Sequence, residues 1–167
     1  MMNTEIVLWR ETIQAAEVRC HVRLPAELEN YLVSLMIRFT GQSSLARDSM
    51  ATEYLRAMQE AQTVRRYALA TVGDQCLLLT GIFPRLADRR HVKVRYFVDL
   101  GRTAYASVAN TANDIYLMLA QQFVLLMDVL QAINERHILL PLEAYELWSE
   151  LGSQRAYAIL QSYRTIK

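Results

Sequence analysis

The chain has 167 residues, of which 53% are hydrophobic and 21% charged, with only 5 Gly and 3 Pro. That composition excludes a disordered chain, allows one domain with a sizeable core, and disfavours a set of short strands whose turns would need Gly, Asn and Asp. The net charge is +1 and the isoelectric point is near 7.8, so no global field steers the protein towards nucleic acid or anionic lipid.

Residues Thr4 to Ala16 are expected to form a helix carrying Ile6, Trp9 and Ile13 on one side. Val18, Cys20, Val22 and Leu24 then alternate with Arg19, His21 and Arg23, a strand-like pattern with no evident partner strand. The 18–24 segment therefore reads either as a short extended piece or as a continuation of the helix. A second helix follows Pro25, with Glu27 and Glu29 in its first turn, Leu28, Tyr31, Leu32, Leu35, Met36 and Phe39 on one stripe, and Gly41 past its end. A third starts at Ser43 or Ser44 and turns Ala51, Tyr54, Leu55 and Met58 inward. A fourth carries Leu69, Val72, Cys76, Leu79 and Phe83 up to Pro84, and Gly73 in its middle marks a kink, a break or a close helix crossing.

From Arg85 to Arg95 the chain is basic, with Arg85, Arg89, Arg90, Lys93 and Arg95 around Asp88 and His91. A helix with Phe97, Leu100, Ala104 and Val108 comes next, followed by Thr111 to Asp114, which has the form of a capping box. Ile115 to Ile133 is the most apolar stretch, but Gln121, Gln122, Asp128 and Gln131 interrupt it. A membrane span would need roughly 20 largely apolar residues in a row, so this stretch reads as the central helix of a bundle, over Asn113–Arg136. Pro141 opens a helix with Ala144, Leu147, Trp148 and Leu151 inward, and Gly152 closes it. Ser153 caps a last helix with Ala156, Ile159, Leu160 and Tyr163 inward.

Few residues carry recognisable chemistry. His21, His91 and His137 lie far apart, and no Glu-x-x-His, His-Glu-x-x-His or Cys-x-x-Cys occurs, so neither a metal nor a cofactor is expected. Gly-rich phosphate loops and nucleophile elbows are absent too. Cys20 and Cys76 stand singly in apolar surroundings, behind an N-terminus without a basic leader; they are expected as unpaired thiols of a soluble cytoplasmic protein. Asp99 and Asp128 sit in apolar sequence, each on the polar side of its helix or holding an arginine, and Asp99 is spaced to pair with Arg102. The two helices around Gly152 and Ser153 read as an ordinary hairpin, because Glu143, Glu146 and Glu150 would repel a nucleic-acid backbone.

The run Gly73-Asp74-Gln75-Cys76-Leu77-Leu78-Leu79-Thr80-Gly81-Ile82-Phe83-Pro84, continued by Tyr96-Phe97-Val98-Asp99-Leu100-Gly101-Arg102-Thr103-Ala104-Tyr105, resembles a pattern in an uncharacterised family of bacterial all-helical cytoplasmic proteins. The resemblance implies no activity, cofactor or catalytic residue. It implies a shared surface or pocket where Asp74, Tyr96, Asp99 and Tyr105 meet, with Arg102 beside them.

The expected fold is all-α, a compact single-domain bundle of about six to eight helices around a central apolar one. Three functional readings stand. The first is a non-catalytic interaction or regulatory module that self-associates as a homodimer, since large apolar groups are plentiful and chemical constellations are not. The second is a small-ligand binder or enzyme with a polar pocket of Asp74, Tyr96, Asp99, Arg102 and Tyr105. The third is a nucleic-acid or acidic-partner binder using Arg85, Arg89, Arg90, Lys93 and Arg95.

Overall fold

The computed structural model describes residues 2–40, 50–84, 93–110, 114–134 and 139–164. Among them the chain is all-α, with nine helices and no strand: α1 (Met2–Cys20), α2 (Ala26–Thr40), α3 (Met50–Met58), α4 (Gln62–Gly81), α5 (Val94–Val108), α6 (Ile115–Gln121), α7 (Phe123–Ile133), α8 (Pro141–Leu151) and α9 (Gln154–Arg164). The expected caps at Ser43 and Ser44, and Gly41, lie outside the described residues, as do Thr111 and the rest of the box before Asp114.

Helix α1 continues past Ala16 to Cys20, so the alternating residues Val18 and Cys20 are helical and residues 22–25 form an irregular connector. What stops the helix is a Schellman-type end. His21 takes a left-handed φ of 56°, while the His21 and Val22 amides donate to the Val18 and Glu17 carbonyls at 3.1 and 3.0 Å. The buried Glu17 carboxylate then accepts the Leu24 amide at 2.6 Å, fixing the connector to α2.

The apolar stretch expected as one central helix is two. Its axis bends by 75° at Gln122, whose ψ of 17° leaves the helical region, and the bend keeps Gln121 and Gln122 in water. Asp114 caps the first half, accepting the Tyr116 amide at 2.9 Å. The second half, α7, is buried from Leu126 to Ala132 and packs against α1, α4, α5 and α9. Among the described residues no single helix is long and apolar enough to cross a membrane.

Helices α4 and α5 form the most extensive helix pair. Gly73 neither kinks nor breaks α4; it permits a close crossing. A Cβ at position 73 would lie 2.5 Å from the Tyr105 ring, and one at position 101 would lie 2.6 Å from the Phe123 ring and 2.8 Å from Cys76 Cβ. The main core gathers α1, α2, α4, α5, α6 and α7, with satellites around Leu69 and Val108 and, in the α8–α9 hairpin, around Leu139, Ala144 and Ala156. Several expected inward residues face out: in α3 it is Ala57 that is buried, while Leu55 and Met58 are exposed, as are Phe83, Trp148 and Tyr163.

Gly73→Ala is expected to lower stability by about 1–3 kcal/mol, because the Tyr105 ring must leave its place on α4 and more than offsets the better helix propensity of alanine. A denaturant melt checks this, and a variant as stable as the parent would show the crossing to be looser than described.

Candidate functional site

Of the five residues expected to share a polar pocket, two meet. Asp74, on the inner face of α4, is buried, and its Oδ1 accepts hydrogen bonds from the hydroxyls of Tyr105 and Tyr31, both at 2.6 Å. Its Oδ2 accepts from Arg38 Nη1 at 3.2 Å, and that guanidinium lies 5.6 Å over the Tyr31 ring. Tyr116 completes the cluster edge-on to Tyr31, with ring centroids 6.1 Å apart. The other three expected residues stand on the outer face of α5: Tyr96 and Arg102 are exposed, and the Asp99 side chain is 62% exposed. Asp99 lies 3.8 Å from Arg95 Nε, one turn earlier, rather than pairing with Arg102. The five residues therefore do not line one pocket.

Burial lifts the carboxyl of Asp74 above its ordinary range, against the pull of Tyr105, Tyr31 and Arg38. Burial beside that carboxylate also drives Tyr31 and Tyr105 far above the usual phenol range. Neither hydroxyl is then a proton donor near neutral pH, and both carboxylate oxygens are taken by protein donors. The cluster fastens α2 and α5 to α4; it is not arranged for acid–base chemistry. Tyr31, Arg38 and Tyr116 each look like an ordinary helix-face residue in the sequence; tertiary packing brings Tyr31 and Arg38 of α2 to Asp74 and Tyr116 of α6 against the Tyr31 and Tyr105 rings.

A second buried carboxylate, Asp128, sits under the hairpin. It is buried rather than on a polar face, and the arginine beside it is Arg155, whose positive charge favours its ionised form. Its Oδ1 accepts from Ser153 Oγ at 2.7 Å and its Oδ2 from the Arg155 amide at 3.5 Å, while Ser153 Oγ accepts the Ala156 amide at 3.1 Å. Asp128 and Ser153 together cap α9. Beside them Arg155 Nη1 donates to Gln131 Oε1 at 2.9 Å, and Gln131 Nε2 donates to the Thr80 carbonyl at 3.0 Å. Cys20 Sγ donates to the Asp128 carbonyl at 3.5 Å. Neither Cys20 nor Cys76 is in a disulfide, and burial pushes their thiols up to about 11 and about 12.

Of the basic segment, Arg85, Arg89, Arg90, Asp88 and His91 lie outside the described residues, as does His137. Lys93 and Arg95 are described, and each has an acid near it: Lys93 Nζ is 3.8 Å from Glu150 Oε1, and Arg95 faces Asp99. They line a cleft of about 110 Å³ whose far wall is Glu143, Glu146 and Glu150, over Val94, Leu147 and Leu151. A wall of three glutamates is a poor place for a phosphate. Among the described residues no group of three or more His, Cys, Asp or Glu could hold a metal ion.

The surface of the α8–α9 hairpin is different in kind. Pro141 starts α8, and Glu143 Oε1 accepts the Leu140 amide at 3.4 Å. Gly152, left-handed at φ 71°, ends it with its amide on the Trp148 carbonyl at 2.9 Å. On the outer side Trp148 stacks against Tyr157 at 5.4 Å and against Tyr145 at 6.2 Å between ring centroids. Tyr145 is 53% exposed and Leu142, one turn before it, 69%. Trp148 had been expected inside; Ala144, Leu147 and Leu151 fill the inner face of α8, and Trp148 falls at its edge. No family model, curated protein or solved structure matches the chain.

Asp74→Ala should cost about 3–5 kcal/mol, since it strands two tyrosine hydroxyls and a guanidinium. Asp99→Asn, by contrast, should stay within about 0.5 kcal/mol of the parent, as solvated surface groups do. Denaturant melts of the two variants check the contrast, and equal effects would overturn the placement of both residues. The pH dependence of stability tests Asp128. Burial lifts its carboxyl from 3.8 to about 6, with the bonds from Ser153 and Arg155 opposing the rise. The native state therefore keeps this proton up to about pH 6 while the unfolded chain gives it up near pH 4. Stability from this group is highest below about pH 4, falls by up to about 3 kcal/mol as pH climbs to about 6, and is level above. Melts from pH 4 to 8 should show Asp128→Asn with a shallower decline than the parent; the same decline in both would contradict the assignment.

Proposed function

We propose that this protein is a non-catalytic, cytoplasmic protein-interaction module, and that the outer face of the α8–α9 hairpin is its docking surface. The continuous exposed run of Leu142, Tyr145, Trp148 and Tyr157 carries this reading. Single exposed apolar residues are ordinary on a protein surface, but adjoining tryptophan and tyrosine rings supply large contact area at small entropic cost and mark binding surfaces. The hairpin is also well braced for presenting them. It has a small core of its own, its two ends are closed by the Tyr163 hydroxyl donating to the Leu139 carbonyl at 3.1 Å, and α9 is capped from the bundle by Asp128. The buried carboxylates of Asp74 and Asp128 support the same reading from the other side, because their oxygens are spent on holding helices together. The ligand pocket around Asp99 and the phosphate patch around Lys93 are disfavoured by the exposure of the first and the glutamates opposite the second.

Hydroxyl-radical footprinting tests the surface. Tyr145, Trp148 and Tyr157 should be labelled readily in dilute purified protein and protected in concentrated extract of the source cells. A Tyr145→Ala/Trp148→Ala variant should keep its helical circular dichroism and lose protection at Tyr157. Protection confined to another face, with the hairpin labelled equally in both conditions, would overturn the proposal.

A further inference from the structure

Helices α1, α2, α4, α5, α6 and α7 share one apolar core, whereas the α8–α9 hairpin has its own, of Leu139, Ala144 and Ala156 with Ile159 and Leu160 packed on them. Clefts part the hairpin from the bundle on both sides. One, of about 110 Å³, runs between Val94 at the start of α5 and Leu147 and Leu151 of α8. The other, of about 280 Å³, runs between His21 at the end of α1 and Ala158 and Ile159 of α9. Between the clefts the hairpin sits on α7, and among the described residues that seat is largely polar. Asp128 accepts from the Ser153 hydroxyl and the Arg155 amide, and Gln131 accepts from the Arg155 guanidinium. The apolar share of the seat is Leu147 and Leu151, which pack at the edge of the main core.

We infer that the α8–α9 hairpin is an arm, latched on α7 through Asp128 and Gln131, that opens as one unit while the bundle stays folded. Opening trades the latch bonds for bonds to water, an exchange whose net cost is small, and it returns the buried Asp128 carboxylate to solvent. Apolar burial is the dominant favourable term in folding, and in this seat it is confined to two leucines. Unfolding the bundle would expose the whole main core instead. Two parts with separate cores are held rigidly together only by a large hydrophobic interface, and this one is neither large nor mainly hydrophobic. Within the hairpin, the bond from the Tyr163 hydroxyl to the Leu139 carbonyl and the Ser153 cap on the Ala156 amide stay with the arm, so α8 and α9 leave together. Tyr145, Trp148 and Tyr157 lie wholly on the arm and travel with it, and the inference does not depend on what docks there. Off its seat, so short a helix pair with so small a core holds its backbone bonds weakly, and opening is therefore read by amide exchange.

Hydrogen exchange of the purified full-length protein, followed by mass spectrometry, tests this. Amides of α8 and α9 should share one level of protection, at least about a hundredfold below that of the slowest amides of α4 and α5. Two variants then separate opening of the arm from unfolding of the whole chain, each first checked for the parental circular dichroism. Gln131→Met removes a latch acceptor on α7 and leaves the hairpin's own bonds intact; it should speed exchange throughout α8 and α9 about tenfold, and Ser153→Ala should act in the same direction. Val98→Ala, in the buried face of α5, removes packing that the open form keeps. It should speed exchange in α4 and α5 and leave α8 and α9 at the parental rate. Gly73→Ala, whose strain also lies within the α4–α5 crossing, takes its place if Val98→Ala does not fold. If the bundle variant speeds the hairpin by the same factor as α4 and α5, the hairpin opens only with the whole bundle and the arm is excluded. If Gln131→Met speeds α9 and leaves α8 unchanged, the two helices do not open as a unit, and the inference falls.

Discussion

The arrangement depends on three glycines, Gly73, Gly81 and Gly101, where α4, α5 and α7 come too close for any side chain. With no Cβ at Gly73, the Tyr105 ring lies against the backbone of α4, and that position brings its hydroxyl to the carboxylate of the next residue, Asp74. Asp74 in turn takes Tyr31 and Arg38 from α2. Gly101 does the same for the Phe123 ring at the start of α7, against Cys76. A pair of missing methyl groups thus sets the α4–α5 crossing, and the crossing sets both the buried polar cluster and the point at which α7 enters the core. Close packing leaves little room for another solution once the rings are in place.

Helix content and most inner faces were legible in the sequence, because apolar spacing of three and four is written directly by burial. Pro25, Asp114, Pro141, Gly152 and Ser153 punctuate their helices as their chemistry suggests. One feature left two readings open and another misled. Alternation over residues 18–24 imitates a strand, although half of it is the last turn of α1, ended by a histidine in a conformation glycine usually takes. The apolar run through 115–133 has no Pro or Gly, and its bend at Gln122 comes from tertiary packing with two adjacent polar residues available to face water.

The candidate site was hardly legible. Asp74 and Tyr105 were singled out correctly as neighbours, but Tyr96, Asp99 and Arg102 occupy the exposed side of α5, away from the face of Phe97, Val98, Gly101, Ala104 and Tyr105. Tyr31, Arg38, Gln131 and Arg155 could not be assigned to a buried network from a single chain, since each owes its partner to a residue many positions away. Trp148 was read as core because tryptophan is mostly buried. In a helix whose inner stripe is already filled by Ala144, Leu147 and Leu151, however, it is left at the edge.

The contrast between the two sets of aromatic residues bears on function. Tyr31 and Tyr105 converge on one carboxylate, so their polar ends are used inside the fold, and the Tyr116 ring packs against both. Tyr145, Trp148 and Tyr157 touch one another and water. Both sets are stacked, but only the first is tied to the folding of the bundle. The second rests on a hairpin whose own core is small and whose last helix is held at its N-terminus by Asp128, a buried carboxylate that costs stability when ionised. Fixing the start of α9 in one place gives the aromatic face a set shape. In the docking we propose, that shape is in place before the partner arrives, and preorganisation of that kind lowers the entropic cost of binding.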